Sequence, residues 1–123
     1  MYPFIKKNIY LIILSLVTME YVKQISGRFK DGKREEGLKI IAELWNENVG
    51  KVKGLTAFVL MANLYDSQGA TNSTAWETKE DMDAYYNTDK NYQSVLDRIK
   101  PMMEEDLKRR EYTIFKAKMK ESH

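Results

Sequence analysis

Apolar residues recur along the chain with two different periods, and the changes between them predict the order of the elements. Alternating apolar and polar residues are typical of strands, whereas apolar residues three or four positions apart are typical of helices. Alternation occurs over residues 20–29, and strand-like stretches without a helical period occur over residues 55–62, 71–77 and 110–119. Helical spacing occurs over residues 33–48, 79–87 and 90–107, with a break at 88–89. The order βαββαβ predicts an α+β, ferredoxin-like domain with a four-stranded antiparallel sheet.

The predicted strand 55–62 is apolar on both of its faces. One face carries Leu55, Ala57, Val59 and Met61, and the other carries Phe58, Leu60 and Ala62. A single helical layer covers only one face of a sheet, so the second apolar face needs other cover. The sheet of a second copy is the obvious candidate, and the pattern therefore predicts a homodimer that joins through its sheet faces.

The segment TNSTAWETKEDMDAYY, residues 71–86, changes from a strand to a helix. Thr78 can cap the helix start, with Asp81 three residues later. Because the side chains of a strand alternate between its faces, Asn72 and Trp76 share one face. This corner is either ordinary core packing or the wall of a ligand pocket.

The two helical stretches that follow carry further candidate residues. Met82, Tyr85 and Tyr86 lie in the first turns of the helix 79–87. Because Tyr85 and Tyr86 are adjacent, we expect only one of them to face inward. The helix 90–107, with a bend expected at Pro101, has as inward positions Tyr92, Val95, Leu96, Ile99, Met102 and Met103.

Composition excludes several classes of function. With 123 residues the chain is long enough for one domain. The net charge is +2 and the charges of both signs are interleaved, which argues against a nucleic-acid partner. There is no cysteine, and the single histidine is the terminal His123. We therefore expect no metal site, and any catalysis should use carboxylates, tyrosines, amides or the substrate's own reactivity.

The first eighteen residues differ in character from the rest. Lys6 and Lys7 precede an apolar run, residues 9–17, that is too short to span a bilayer. Small residues are missing at cleavage spacing, and the first strand follows Met19 directly. We interpret residues 1–18 as an upstream extension and residues 19–123 as the domain, in a cytoplasmic protein with no integral membrane span. The alternative is a leader that associates with a membrane or directs export.

Four stretches resemble one known family. They are FKDGKREEGLKIIAEL, VKGLTAFVLMAN, STAWETKEDMDAYYNTDKNY and REYTIFKA. With them, residues 19–119 resemble the antibiotic biosynthesis monooxygenase family of dimeric α/β barrels. The resemblance implies a dimeric α/β barrel. Within that family some members oxidise phenols, naphthols or quinols with dioxygen and need no cofactor, some degrade haem, and many have no known activity.

The haem-degrading members of that family can be tested position by position. They use an asparagine in the first strand, a tryptophan in the second helix and a histidine about three turns later. In this chain those places fall near Gln24 or Ile25, at Tyr85 and at Val95. The resemblance therefore does not extend to haem degradation, and we expect no cofactor.

The polyketide-oxidising members place an asparagine and a tryptophan four residues apart on the third strand. Asn72 and Trp76 match this pair and are the expected catalytic residues. The accompanying tyrosine and arginine have no clear counterparts, since Met82 and Leu96 stand near those positions. Substrate contacts are expected from Met82 and from Tyr85 or Tyr86, opposite the strand.

Three functions are compatible with these features. The resemblance favours a cofactor-independent monooxygenase that acts on a small phenolic or quinol-type substrate. The alternatives are a non-catalytic ligand-binding or stress-response dimer and a purely structural dimer. A closed cavity with one or two convergent polar groups would favour the enzyme.

Overall fold

The computed structural model describes residues 20–118 and residue 120. The described chain forms one antiparallel sheet and a helical layer on one of its faces. The strands are β1 (Tyr21–Arg28), β2 (Leu55–Ala62), β3 (Gly69–Trp76) and β4 (Lys108–Thr113). The helices are α1 (Arg34–Asn48), α2 (Lys79–Thr88) and α3 (Lys90–Ile99). The strand order β2-β3-β1-β4 confirms the predicted four-stranded, ferredoxin-like arrangement.

Two earlier expectations concern the start of the chain. The interpretation of residues 1–18 lies outside the described residues. Within the part that the structure describes, no helix is long and apolar enough to cross a membrane.

The last helix and the last strand both end earlier than predicted. Helix α3 stops at Ile99 instead of reaching residue 107, and Lys100–Met102 form a 3₁₀ turn. Pro101 explains this change, because proline lacks the N–H group that an α-helix needs. Strand β4 ends at Thr113 instead of 119, since Thr113 pairs with Tyr21, the first residue of β1.

Strand β2 contains an irregularity that the alternation did not reveal. Leu55 pairs with Trp76 and Ala57 pairs with Ala75, so Thr56 is an extra residue in the ladder. A bulge of this kind reverses the side on which the following residues lie. Leu55 therefore shares the helix-facing side with Trp76, and the expectation that it shares a face with Ala57 is wrong.

The opposite side of the sheet is not covered by the described chain. On this outer face Val59 is 54% exposed and Met61 is 44% exposed. Polar pairs join the neighbouring strands here, from Gln24 to Ser73 and from Ser26 to Thr71. The apolar residues of β2 thus lie at one side of a partly polar face.

An aromatic cluster fills the space between the sheet and the helices. Tyr85 and Tyr86 are both buried, at 6% exposure each. Each lies within 6.0 Å, between ring centroids, of both Trp45 and Trp76. The expectation that only one tyrosine faces inward is wrong. Adjacent residues of a helix point only about 100° apart around its axis, and α2 contacts aromatic rings over more than that angle, so both side chains are buried.

A polar network fixes the loop between β2 and β3. Arg28 donates to both carboxylate oxygens of Asp66, at 2.8 and 3.2 Å. Arg34 donates to the backbone oxygens of Asn63, Asp66 and Gly69. These bonds anchor the loop on β1 and α1, while its tip residues Leu64 and Tyr65 remain exposed.

The Asp66 carboxyl should make the stability of the fold sensitive to acid. Hydrogen bonds from Arg28 lower its pKa from 3.8 to about 2. A group whose pKa is lower in the folded state contributes stability above its unfolded pKa and loses it as the pH falls toward the folded pKa. When the pH is lowered from 4 to 2, we expect the melting temperature to fall less in Asp66→Asn than in the unmodified protein.

The matched control is Asp31→Asn, at an exposed carboxyl that makes no ion pair with the described residues. It should retain the acid sensitivity of the unmodified protein. Equal acid sensitivity in the unmodified protein and in Asp66→Asn would contradict the role of this ion pair.

Candidate functional site

A small cavity lies between the sheet and helices α1 and α3. Its volume is about 50 Å³. The walls are almost entirely apolar, and they include Ile25, Leu44, Trp45, Leu60, Val95 and Leu96. A water molecule needs roughly 10–15 Å³ of such space, so the cavity can hold a few small molecules.

Two polar side chains interrupt these apolar walls. Asn72 and Tyr92 both line the cavity, and they are only 8% and 5% exposed. Neither Asn72 Oδ1 nor the Tyr92 hydroxyl makes a hydrogen bond with any described residue. A buried polar atom without a partner costs roughly 1–3 kcal/mol. Water or an oxygen-bearing ligand in the cavity would satisfy both atoms.

Arg109 stands beside this pair. In the sheet register Asn72 lies opposite Ile25, and Ile25 lies opposite Arg109, so the three form one row across β3, β1 and β4. Burial raises the pKa of Tyr92, while the nearby Arg109 guanidinium acts in the opposite direction. The guanidinium is thus close to the phenolic oxygen, although the two make no hydrogen bond of ordinary geometry.

Trp76 is placed differently from the expectation that it lines a pocket with Asn72. It is fully buried and does not line the cavity. Its Nε1 donates to Thr74 Oγ1 at 2.9 Å, and Thr74 Oγ1 lies 2.7 Å from the Tyr86 hydroxyl. Burial raises the pKa of Tyr86 well above its ordinary value. The polar groups of this network bond to one another, so they leave no free donor for a ligand.

Met82 and Tyr85 also belong to the aromatic cluster instead of the cavity wall. Met82 is 1% exposed, and the Tyr85 hydroxyl accepts a hydrogen bond from Asn48 Nδ2 at 2.6 Å. Of the five residues that the sequence suggested, the structure therefore brings only Asn72 to the cavity.

A tyrosine and an arginine lie close to each other at positions other than Met82 and Leu96. They are Tyr92 on α3 and Arg109 on β4. Tyr92 was visible in the sequence as a hydroxyl on the apolar stripe of α3, although nothing marked it as a site residue. Arg109 was hidden, because the predicted helix ran to residue 107 and the predicted strand began at 110. With the shortened helix and the earlier strand, Tyr92 lines the cavity with Asn72, and Arg109 lies in the same row of the sheet with Ile25 between them.

Two of the buried tyrosines, Tyr92 and Tyr86, should respond oppositely to removal of their hydroxyl groups. Tyr92→Phe removes a buried hydroxyl without a partner, and we expect it to raise the free energy of unfolding by about 1 kcal/mol. Tyr86→Phe makes the same chemical change at a hydroxyl bonded to Thr74, and should lower it by about 1 kcal/mol. Urea denaturation measures both. A loss of stability in Tyr92→Phe as large as that in Tyr86→Phe would show that the Tyr92 hydroxyl is already bonded.

Comparison with known proteins was made with the sequence and with the fold. No protein-family model matches the sequence, and no curated protein matches it. Solved structures do match the fold. A candidate antibiotic biosynthesis monooxygenase from Nitrosomonas europaea is 20% identical, with a TM-score of 0.71 over 79% of this chain and 91% of that one.

Two further solved structures show the same likeness. A monooxygenase from Streptomyces coelicolor, in complex with nanaomycin D, is 14% identical, with a TM-score of 0.69 over 85% of this chain and 95% of that one. A conserved protein of unknown function from Bacteroides thetaiotaomicron is 14% identical, with a TM-score of 0.67 over 79% of this chain and 99% of that one. These matches confirm the resemblance seen in the sequence: the chain has the fold of the antibiotic biosynthesis monooxygenases.

Proposed function

We propose that the protein is a cofactor-independent monooxygenase that oxidises a small phenolic or quinol-type ring with dioxygen. The observation that carries the proposal is the apolar cavity with two buried polar atoms, on Asn72 and Tyr92, that make no hydrogen bond of ordinary geometry with the described residues. Apolar walls with a few convergent polar groups suit a ring that bears oxygen. The monooxygenases with the same fold support this choice, one of them in complex with nanaomycin D.

In this proposal, Asn72, Tyr92 and Arg109 act on the oxygen of the ring. The Tyr92 hydroxyl donates to it, and the positive charge of Arg109 favours the deprotonated form. Asn72 accepts a hydrogen bond from the ring's hydroxyl through Oδ1, or donates one to the anion through Nδ2 after a half-turn of its amide. Donors aimed at a developing charge in a site without bulk water are among the strongest contributions to catalysis.

The reaction balances without a cofactor. The ring anion gives an electron to dioxygen, and the reduced oxygen then adds to an unsubstituted ring carbon next to or opposite the hydroxyl. A phenol plus dioxygen gives a quinone plus water: one oxygen atom enters the ring, and the other leaves as water with the hydrogens of the ring O–H and C–H. The ring loses four electrons and dioxygen gains four. The protein binds the ring, favours its anion and excludes water.

The size of the cavity favours small rings. Its 50 Å³ is well below the roughly 300–1,000 Å³ of ordinary ligand pockets. It can hold dioxygen or the oxygen-bearing edge of a ring, and a whole ring needs lining side chains to move. Met103, which lines the cavity, is flexible enough to do so. We therefore favour monocyclic rings over the larger polycyclic ones.

The other residues that the sequence suggested have a supporting part in the proposal. Trp76, Met82, Tyr85 and Tyr86 join β3 to α2 through the aromatic cluster and the Thr74 network. Because Asn72 lies two residues before Thr74 on the same face of β3, this packing holds its amide at the cavity.

A non-catalytic ligand-binding protein is the second candidate, and the small volume of the cavity favours it. Oxygen uptake separates the two functions. A panel of monocyclic and bicyclic quinols and naphthols should include at least one that consumes oxygen faster with the protein than without it. A quinone that carries one oxygen atom more than the substrate should form, and only in air. Binding without faster oxygen uptake across the panel would favour the non-catalytic function.

Asn72→Ala should slow turnover far more than it affects the fold. Loss of a hydrogen-bond donor of this kind reduces the rate by roughly 100- to 1,000-fold. The melting temperature should stay nearly unchanged, since the buried amide oxygen has no partner to lose. Ser73→Ala, on the outer face of the same strand, is the control and should keep full activity. Equal activity of Asn72→Ala and the unmodified protein would contradict the role of the amide.

We also propose a homodimer in which the outer faces of two sheets meet. Val59 and Met61 are half exposed on that face, and a facing sheet would cover them. Sedimentation at micromolar concentration should show a dimer for the unmodified protein. Val59→Lys with Met61→Lys should give a monomer, whereas Val49→Lys, at an exposed apolar residue beyond α1, should not. A monomeric unmodified protein would contradict this interface.

A further inference from the structure

A wide groove runs along the surface next to the cavity, between α3 and the segment that leads into β4. Its volume is about 950 Å³. Four apolar residues line both the groove and the cavity, namely Leu96, Ile99, Met103 and Leu107. We call these four side chains the partition, because they stand between the buried cavity and the surface groove.

The partition can move through its side chains while its backbone stays in place. Two backbone hydrogen bonds hold the chain around Met103 next to the end of β1. Lys30 N–H donates to Met102 O at 2.7 Å, and Glu104 N–H donates to Arg28 O at 2.8 Å. The side chains are less constrained. Met103 Cε and Leu107 Cδ2 lie over Gly27, where an added Cβ would approach them to 2.6 and 2.8 Å. Flexible side-chain ends over a glycine can swing aside at little cost.

The groove carries an uneven set of charges. Its lining includes the carboxylates of Asp97, Glu104, Glu105 and Asp106, and the cations of Lys100 and Arg109. Glu104 bonds to Arg28, and the other three carboxylates make no ion pair with the described residues. The carboxylates line only the groove, whereas Arg109 also reaches Tyr92 at the cavity. The groove therefore carries more acidic than basic side chains, and its Arg109 is close to Tyr92, which lines the cavity.

We propose that this groove is the entrance to the cavity, and that it selects phenolic rings with a neutral or cationic tail over rings with a carboxylate tail. The acidic residues alone would not indicate a site. The second observation is the pair of buried polar groups directly behind the partition, on Asn72 and Tyr92. The ring oxygen lies between these groups near Arg109, and the tail of the ligand extends past Met103 into the acidic groove. The inference rests on the proposed function for the identity of the ring.

Three phenols with the same ring and different tails test this selection. They are tyramine (cationic tail), 4-ethylphenol (neutral tail) and 3-(4-hydroxyphenyl)propanoate (anionic tail). Calorimetric titration into the full chain measures binding without requiring turnover. At low ionic strength we expect tyramine to bind about tenfold more tightly than the propanoate, with 4-ethylphenol between them. At 1 M salt the difference should nearly vanish, because charges are then screened beyond roughly 3 Å.

Two sets of variants locate the tail and the ring separately. Glu105→Lys with Asp106→Lys should reverse the order, so that the propanoate binds more tightly than tyramine. Glu47→Lys, at an exposed carboxylate of α1 outside the groove, is the matched control and should keep the original order. Asn72→Leu should weaken all three phenols by a similar factor, since it removes a contact to the ring oxygen that they share.

The outcomes distinguish the entrance from the proposed function. Equal binding of the three phenols, or no reversal in the double lysine variant, overturns the entrance even if quinols are oxidised. A reversible charge preference without oxidation of any quinol supports the entrance and overturns the monooxygenase. A third outcome is that the double lysine variant reverses the charge preference while Asn72→Leu leaves the affinities unchanged. This result would place the ligand in the groove alone, which also contradicts the proposal.

Discussion

On the helix-facing side of strand β3, one end of the strand belongs to the packed core and the other end borders the cavity. The alternation of the strand places Trp76, Thr74 and Asn72 on this side in succession. The Thr74 hydroxyl has three hydrogen-bond partners, which is as many as a hydroxyl can have. It accepts from Trp76, bonds to Tyr86 and contacts the Lys23 backbone oxygen. Two residues along the same face, the Asn72 amide oxygen has no hydrogen-bond partner in the part of the chain that the structure describes. One end of the strand is therefore closed by its own hydrogen bonds, and the other is left open to a cavity.

This division has an energetic consequence. A domain of this size is stable by only about 5–15 kcal/mol, and each buried polar atom without a partner removes roughly 1–3 kcal/mol. The aromatic cluster around Trp45 and Trp76 offsets this loss, because paired aromatic rings contribute beyond the area they bury. The stable end of the domain thus allows Asn72 and Tyr92 to keep buried polar atoms without a hydrogen-bond partner among the described residues.

Pattern alone was sufficient for the order of the elements, and together with the family resemblance it pointed to one residue that lines the cavity. Asn72 could be found because strand parity and the family resemblance pointed to the same position. The remaining parts depend on features that periodicity does not carry. A bulge at Thr56 moved Leu55 to the other face, and the helix stop before Pro101 brought Arg109 into β4. Tyr85 and Tyr86 are both buried because α2 meets aromatic rings over a wide arc, which depends on tertiary packing.

The central claim is that the oxygen of a phenolic ring completes the hydrogen bonding of Asn72 and Tyr92. A crystal structure of the protein with 4-ethylphenol, grown under argon, tests it most directly. We expect the phenolic oxygen within hydrogen-bonding distance of both side chains, the ethyl group directed toward the groove, and the side chains of Met103 and Leu107 moved aside. A ligand bound elsewhere, with the partition unchanged and Asn72 and Tyr92 bonded only to water, would contradict the account.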